Sequence, residues 1–500
     1  MKPFSSCLVC LLMALAAYPQ SGIHLKAQSR QREPRGGALP QHFILEFRTY
    51  PGPQTRRELA RRGIRPLQYV PDNGLMVSAR TTPNLAGFDL ESVIALDPHE
   101  KLSPLLDVQE PAGYLVIFQL DTDIQQARNL VRADRLEIVE NPALLPWQLL
   151  VTGNYDNVEA LAADDSVAYI LPASPDLLTG DPLIGCPGAI AEAGAVGEYV
   201  LASTGWPKNG AAGVSLNYFF ESLTDKLDPS TVRGEIERAF REWAKYANLT
   251  LSPGQQAGLY RSIDILFARG AHGDPYPFDG PGGVLAHTFY PSPPNAETVA
   301  GDMHFDADEA WHTGSSVDLF SVALHEAGHA LGLGHSDQPG AVMYPYYRLN
   351  AGLTADDIAA VQALYGNIST PPAQPPSTNP APAPAPAPAP TPAPAPTPPP
   401  NPTPPSKAPD TVPPALTIVS PGSTITSTSA ASITITGTAT DNVGVASVKW
   451  STTFGDAGAA TGTGAWSAAV PLLVGNNSIT ITAFDAAGNS SWRAITVVRH

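Results

Sequence analysis

Two stretches near the N-terminus run through the same succession of apolar and polar positions. Each opens on an apolar run, HFILEF (42–47) or YLVIFQL (114–120), and passes into an amphipathic stretch, TRRELARRG (55–63) or DIQQARNLVRA (123–133). Further alternating runs close each copy: RPLQYVPDNGLMVSA and VIALDP in the first, and RLEIVE, PWQLLVTG and VAYILPA in the second. The order predicts β-α-β-β-α-β over 41–108 and again over 112–174. In mid-chain, DPSTVRGEIERAFREWAKYA (228–247) places Val232, Ile236, Phe240 and Trp243 on one stripe behind Asp228 and Pro229, which predicts a long core helix. SVDLFSVALHEAGHAL (316–331) is apolar almost throughout and predicts a buried helix capped by Ser315 or Ser316. At the far end, SITIT (432–436), VASVKW (445–450) and SITITAF (478–484), separated by Gly, Asn and Asp turns, predict a small all-β sandwich over 415–500.

A chain of 500 residues is too long for one core, and its composition shifts divide it. The expected parts are a leader (1–27), two repeats (41–108 and 112–174), a linker holding Cys186 (175–205), a central domain (206–368), a Pro-rich tether (369–414) and the sandwich (415–500). The tether is nearly pure Pro, Ala and Thr, which favours extended polyproline II and cannot build a core. The opening MKPFSSCLVCLLMALAA sets one lysine before an apolar run that ends in small residues, the pattern of a signal peptide, so a secreted, extracellular product is expected. No later run is long enough to be a transmembrane segment. Cys7 and Cys10 would leave with the leader, so Cys186 remains alone and no intrachain disulfide is expected. With 46 acidic against 29 basic residues the formal charge is -17, which argues against a nucleic-acid partner.

The chemistry concentrates in HEAGHALGLGH (325–335). His325 and His329 stand four apart, so on a helix both imidazoles leave one face and can reach a single Zn²⁺. Gly332 and Gly334 let the chain turn sharply and return His335 as a third ligand, with the fourth position open to water. Zinc lowers the pKa of such a water, and Glu326 beside it can act as general base in peptide hydrolysis. Met343 in AVMYP follows eight residues after His335.

This constellation resembles the metzincins, and most closely the matrixins, the matrix-metalloproteinase-like family, from Trp206 to Tyr365. The resemblance implies an α+β metzincin fold with a mixed twisted sheet, and a Met-turn at Met343 that floors the zinc site. SIDILFARGAHGDPYPFDGPGGVLAHTFYP and GDMHFDADEAW are similar to the matrixin segment that binds structural zinc and calcium. By that similarity His272, Asp274, His287 and His304 hold structural zinc. Calcium takes the side chains of Asp279, Asp306 and Glu309 and the carbonyls of Gly280, Gly282 and Val284, with Asp302 as a candidate for an additional ligand. Ser321 is a candidate for the specificity pocket, and the strand ending near His287 would receive extended polypeptide as an antiparallel edge strand. Matrixin pro-segments block zinc with a cysteine in an Arg-Cys-Gly context, whereas Cys186 lies in IGCPGA. Two readings of Cys186 stay open, a cysteine switch over the zinc and an inert thiol.

The flanking regions carry looser resemblances. The paired repeats suggest ferredoxin-like sandwiches, and GIRPLQYVPDNGLMVSA with EKLSPLL resembles the prodomains of subtilisin-like proteases, which implies a pro-segment that assists folding or blocks the site. TGTATDNVGVASVKW and FDAAGN are similar to bacterial immunoglobulin-like modules, which implies a spacer or a contact to cell surface or matrix. The expectation is a monomeric, secreted zinc metalloendopeptidase made as a zymogen. The rival readings are a metal-stabilised adhesive protein without activity and inhibition of another protease by the N-terminal repeats.

Overall fold

The computed structural model of the chain describes residues 22–27, 39–107, 111–180, most of 184–208, 213–368 apart from positions 271, 273, 275 and 316, and most of 414–499. The expected Pro-rich tether and residues 1–21 of the expected leader lie outside the described residues.

Each N-terminal repeat forms a four-stranded antiparallel sheet with the same strand order. In the first it runs Arg65–Val70, Gly74–Ser78, His42–Phe47, Leu90–Ile94, and in the second Glu137–Val139, Gln148–Thr152, Tyr114–Phe118, Val167–Pro172. The second repeat carries both expected helices, Ile124–Ala133 and Tyr155–Ala162, whereas the first has only Pro53–Arg61. Pro83 and Gly87, the latter at φ 86°, break the corresponding stretch. Phe88 seals it by packing edge-on against Phe47 and beneath the Arg62 guanidinium. His42 joins the repeats: its Nε2 lies 2.9 Å from Asp121 Oδ1 and its Nδ1 2.7 Å from Asp165 Oδ2.

Two boundaries read from the sequence are corrected. Ile23 and Leu25, inside the range assigned to the leader, are buried in the same cluster as Tyr69 and Met76, so residues 22–26 belong to the folded body. Within the expected linker, residues 184–191 and 194–197 form a structural wedge. On one side Gly197 N donates to Tyr69 O of the first repeat at 3.0 Å. On the other, Tyr290 N and Asn295 Nδ2 donate to Ile190 O at 2.7 and 2.8 Å, and Tyr347 N to Ile184 O at 2.7 Å. Small and apolar residues, Ala189, Ile190, Ala191 and Val196, let one strand-like segment satisfy edges on both sides.

The central region holds a mixed five-stranded sheet in the order Leu249–Pro253, Val214–Phe220, Ser262–Ala268, Met303–Asp306, Ala286–Thr288. All neighbours are parallel except the last, which runs antiparallel at the sheet edge. The helix Pro229–Ala244 starts where the sequence predicts, with Asp228 accepting from Ser230 N, and buries Val232, Ile236, Phe240 and Trp243. Trp243 Nε1 donates to Leu324 O at 2.9 Å and ties it to a second helix, Leu319–Ala330. That second helix is capped by Asp318, which accepts from Ser321 N, and not by Ser315 or Ser316. A backbone bridge between His312 and Asp318 holds the approach extended and delays the helix to Leu319.

Beyond the tether two sheets, of three and five strands, enclose a core that includes Leu416, Ile435, Trp466, Ile479, Ile481 and Val497. This is the expected β-sandwich. Among the described residues no helix is long and apolar enough to cross a membrane.

Candidate metal centre

His325 and His329 leave one face of the helix with ring centroids 4.7 Å apart, and His335 completes the group at 5.3 and 5.0 Å from them. The return depends on Gly332, whose φ of 95° is open to glycine and strained for other residues. His325 Nδ1 lies 2.7 Å from Val342 O and His329 Nδ1 2.8 Å from Leu333 O. Each Nδ1 therefore carries the proton and each Nε2 keeps its lone pair for a metal. Burial, reinforced by His325 and His335, holds His329 well below the usual imidazole range and keeps it neutral.

Cys186 completes a tetrahedron of donors. One nitrogen from each of His325, His329 and His335 and the Cys186 sulfur all lie within 4.8 Å of one another. The Sγ is 3.7 Å from His329 Nε2 and 3.9 Å from Glu326 Oε1. Three neutral imidazoles and one thiol that can ionise make an N₃S set that fits zinc. Glu326 is 2 % exposed, and burial pushes its carboxyl up to about 7 against hydrogen bonds from Thr288 and Cys186. Thr288 Oγ1 donates to Oε2 at 2.6 Å and fixes the direction of the carboxylate. Met343 lies beneath the helix: a Cβ on Gly328 would come within 2.3 Å of its Sδ, so the motif needs glycine there.

The second group assembles as expected. His272 Nε2, His287 Nε2 and His304 Nδ1 stand 3.0, 2.9 and 2.8 Å from a single oxygen, Asp274 Oδ2. Burial alone would raise the Asp274 carboxyl, but the three imidazoles hold it far below the usual range. Burial lowers His304 to about 4, so its ring is neutral at pH 7. One carboxylate oxygen amid three imidazole nitrogens fits a closed zinc shell.

The calcium set comes together where the loop 279–284 meets Asp306, at the end of its strand, and Glu309. Backbone N–H groups of Gly280, Gly282 and Val284 donate to Asp306, Glu309 and Asp279 at 3.2, 2.7 and 2.9 Å. These amide contacts leave the carbonyls of the same three residues free to face a cation. Among the described residues, the two groups with ligand atoms within 4.8 Å of one another are the His-rich ones, and the Asp279, Asp306, Glu309 trio is not among them. Burial raises Asp306 and Glu309, helped by the charges of Asp308 and Asp279 on the first and of Asp306 and Asp279 on the second, so a divalent cation is chemically suited to the site. Asp302 lies just before the strand Met303–Asp306, at the end away from Asp306, and accepts from Asp264 N at 2.9 Å. Burial, followed by the charges of Asp264 and Glu221, pushes it up to about 8.

A pocket opens beside Glu326, walled by Leu285, Ala286, Val322 and Val342 and by the polar residues Ser321, Arg348 and Asn350. The Ser321 hydroxyl donates to Asp318 Oδ2 at 2.6 Å and accepts from Asn350 N at 2.9 Å. Thr288, Arg348, Asn350 and Asp337 were missed in the sequence. Thr288 alone carried a usable signal, its place beside His287 on the expected rim strand.

Comparison with known proteins agrees with this geometry. Residues 205–366 match the matrixin family, residues 414–500 match glucodextranase domain B, and residues 14–97 match a domain of unknown function. The chain is similar to matrix metalloproteinase-25 of Mus musculus, with 40% identity over 187 residues that cover 35% of this chain and 29% of that protein. It is 43% identical over 166 residues to neutrophil collagenase of Homo sapiens, covering 32% of this chain and 34% of that one. Karilysin of Tannerella forsythia is 41% identical over 175 residues, covering 34% and 35%. The chain thus spans about a third of the length of the curated relatives it matches, and the matrixin match over 205–366 includes the histidines of both clusters.

Proposed function

We propose that this chain is a zinc-dependent endopeptidase of the matrixin type, held in a latent state by its own N-terminal region. The observation that carries the proposal is the convergence of His325, His329, His335 and Cys186 beside a buried, oriented Glu326. Zinc bound by the three imidazoles would supply Lewis acidity toward water and the scissile carbonyl. Glu326, raised to about 7, is matched to take a proton from the attacking water and return it to the leaving amine. Thr288 holds that carboxylate in place, and the edge strand Ala286–Thr288 offers backbone groups to an extended polypeptide.

Latency follows from the Cys186 position. In our reading the thiolate takes the fourth corner of the zinc, and Cys186 N donating to Pro345 O at 2.8 Å fixes the segment in the cleft. His272, Asp274, His287 and His304 hold the structural zinc, and the Asp279, Asp306 and Glu309 loop takes calcium. The leader exports the chain, and the C-terminal sandwich serves as an immunoglobulin-like spacer or adhesive module. Glu326→Ala should abolish chelator-sensitive cleavage of unfolded protein substrates while leaving the thermal transition and zinc content in place. Cleavage retained in that variant would remove the proposal.

A further inference from the structure

The pocket beside Glu326 has apolar walls, Leu285, Val322 and Val342, yet it also contains the only guanidinium among its lining residues, that of Arg348. Arg348 is split between two environments. Its Nη2 pairs with Asp176 Oδ2 on the short helix Pro175–Thr179, and its Nε is buried without a hydrogen-bond partner among the described residues. The loop backbone is pinned independently of that side chain: Asn350 Nδ2 donates to Arg348 O, and Asn350 N donates to Ser321 Oγ. Asp176 lies ten positions before Cys186, in the same N-terminal region that covers the cleft. The carboxylate that meets Arg348 in the latent chain therefore leaves with the segment that caps the metal site.

We propose that Arg348 is a specificity residue that selects a substrate carboxylate at this pocket, and that Asp176 occupies its place in the precursor. This rests on the peptidase reading above. A guanidinium carries a fork of donors suited to a carboxylate, and its charge is permanent. Once Asp176 withdraws, both Nη2 and the buried Nε need an acceptor, and an acidic side chain with an apolar stem satisfies the walls and the fork together. Glutamate meets this description better than glutamine, which brings the same volume without the charge.

The test uses the full chain carrying Glu326→Ala, processed upstream of Trp206 by limited proteolysis and freed of its N-terminal region. Dissociation constants are measured for matched fluorescent peptides in which each position around a cleavable bond is Glu or Gln. At one position the Glu peptide should bind about tenfold more tightly, the scale of one charge-assisted pair. Arg348→Gln should bring that ratio to unity, and Arg348→Lys should retain part of it. A Glu to Gln ratio near unity at every position, or one that survives Arg348→Gln, would overturn the inference. Cleavage of the same peptides by the chain with Glu326 intact is scored separately. Failure to cleave either peptide counts against the peptidase reading, while the binding ratio alone decides the role of Arg348.

Discussion

Lys26 Nζ lies 2.8 Å from Asp337 Oδ1 across 311 positions of sequence, and joins the first described segment to the loop just after His335. Tyr169 OH donates to the other oxygen of the same carboxylate at 2.6 Å. With side chains 10% and 8% exposed, the pair is screened little by solvent. Lys26→Met would leave Asp337 buried with one partner fewer, at a cost of about 3 kcal/mol. The precursor should then melt earlier and activate faster, as read by calorimetry and by the lag before peptide hydrolysis. An unchanged lag and transition would show that this pair does not hold the N-terminal region in place.

Cys186 makes a separate contribution to latency. Cys186→Ala removes the sulfur 3.7 Å from His329 Nε2 without disturbing the backbone bond from residue 186 to Pro345 O. Hydrolysis of a fluorogenic peptide by the unprocessed chain should rise by at least about tenfold, because losing a thiolate ligand exceeds the ~1.4 kcal/mol of one decade. Equal activity in the two precursors would identify Cys186 as an inert thiol.

His42 sets a pH dependence. Burial alone would lower its pKa, but hydrogen bonds and charges from Asp121 and Asp165 carry it up to about 9, from 6.5. A raised folded-state pKa stabilises fully below pH 6.5, and the contribution is lost as pH rises through 9. The N-terminal repeats should therefore lose on the order of 3 kcal/mol between about pH 6.5 and 9. Denaturant melts of the precursor at pH 6 and pH 9.5 would show it, and the His42→Ala chain should lack that slope.

Gly328 is required for packing under the motif helix. A Cβ there would stand 2.3 Å from Met343 Sδ and 2.9 Å from Trp243 Cζ2, two fully buried side chains. Gly328→Ala should destabilise the central region by about 2 kcal/mol through overpacking, despite the better helix propensity of alanine. A thermal transition at or above that of the parent chain would show that Met343 can move aside freely.

Much of the fold was legible because its signals are local. The stripe of Val232, Ile236, Phe240 and Trp243 named its helix, Asp228 and Pro229 named its start, and alternation named the strands of both repeats and of the sandwich. The cap of the motif helix was misread because a serine next to an apolar run is a good local signal, while the bridge from His312 to Asp318 that moves the start depends on a distant partner, Tyr347, whose hydroxyl accepts from Asp318 N. The missing second helix of the first repeat lay in the sequence as Pro83 and Gly87, which the symmetry of the copies obscured.

By itself the sequence determined the chemistry that depends on short spacings: two imidazoles four apart on a helix, a carboxylate between them, and a glycine turn that returns a third imidazole. Those distances follow from backbone geometry and need no partner. The tertiary structure alone decided what faces that cluster. Cys186, Thr288, Arg348 with Asp176, and Lys26 with Asp337 come from segments far apart in the chain, and only packing across the wedge and the repeats brings them together. Their pairing is fixed by which buried polar groups must find partners once the surfaces meet, a condition that no local pattern records.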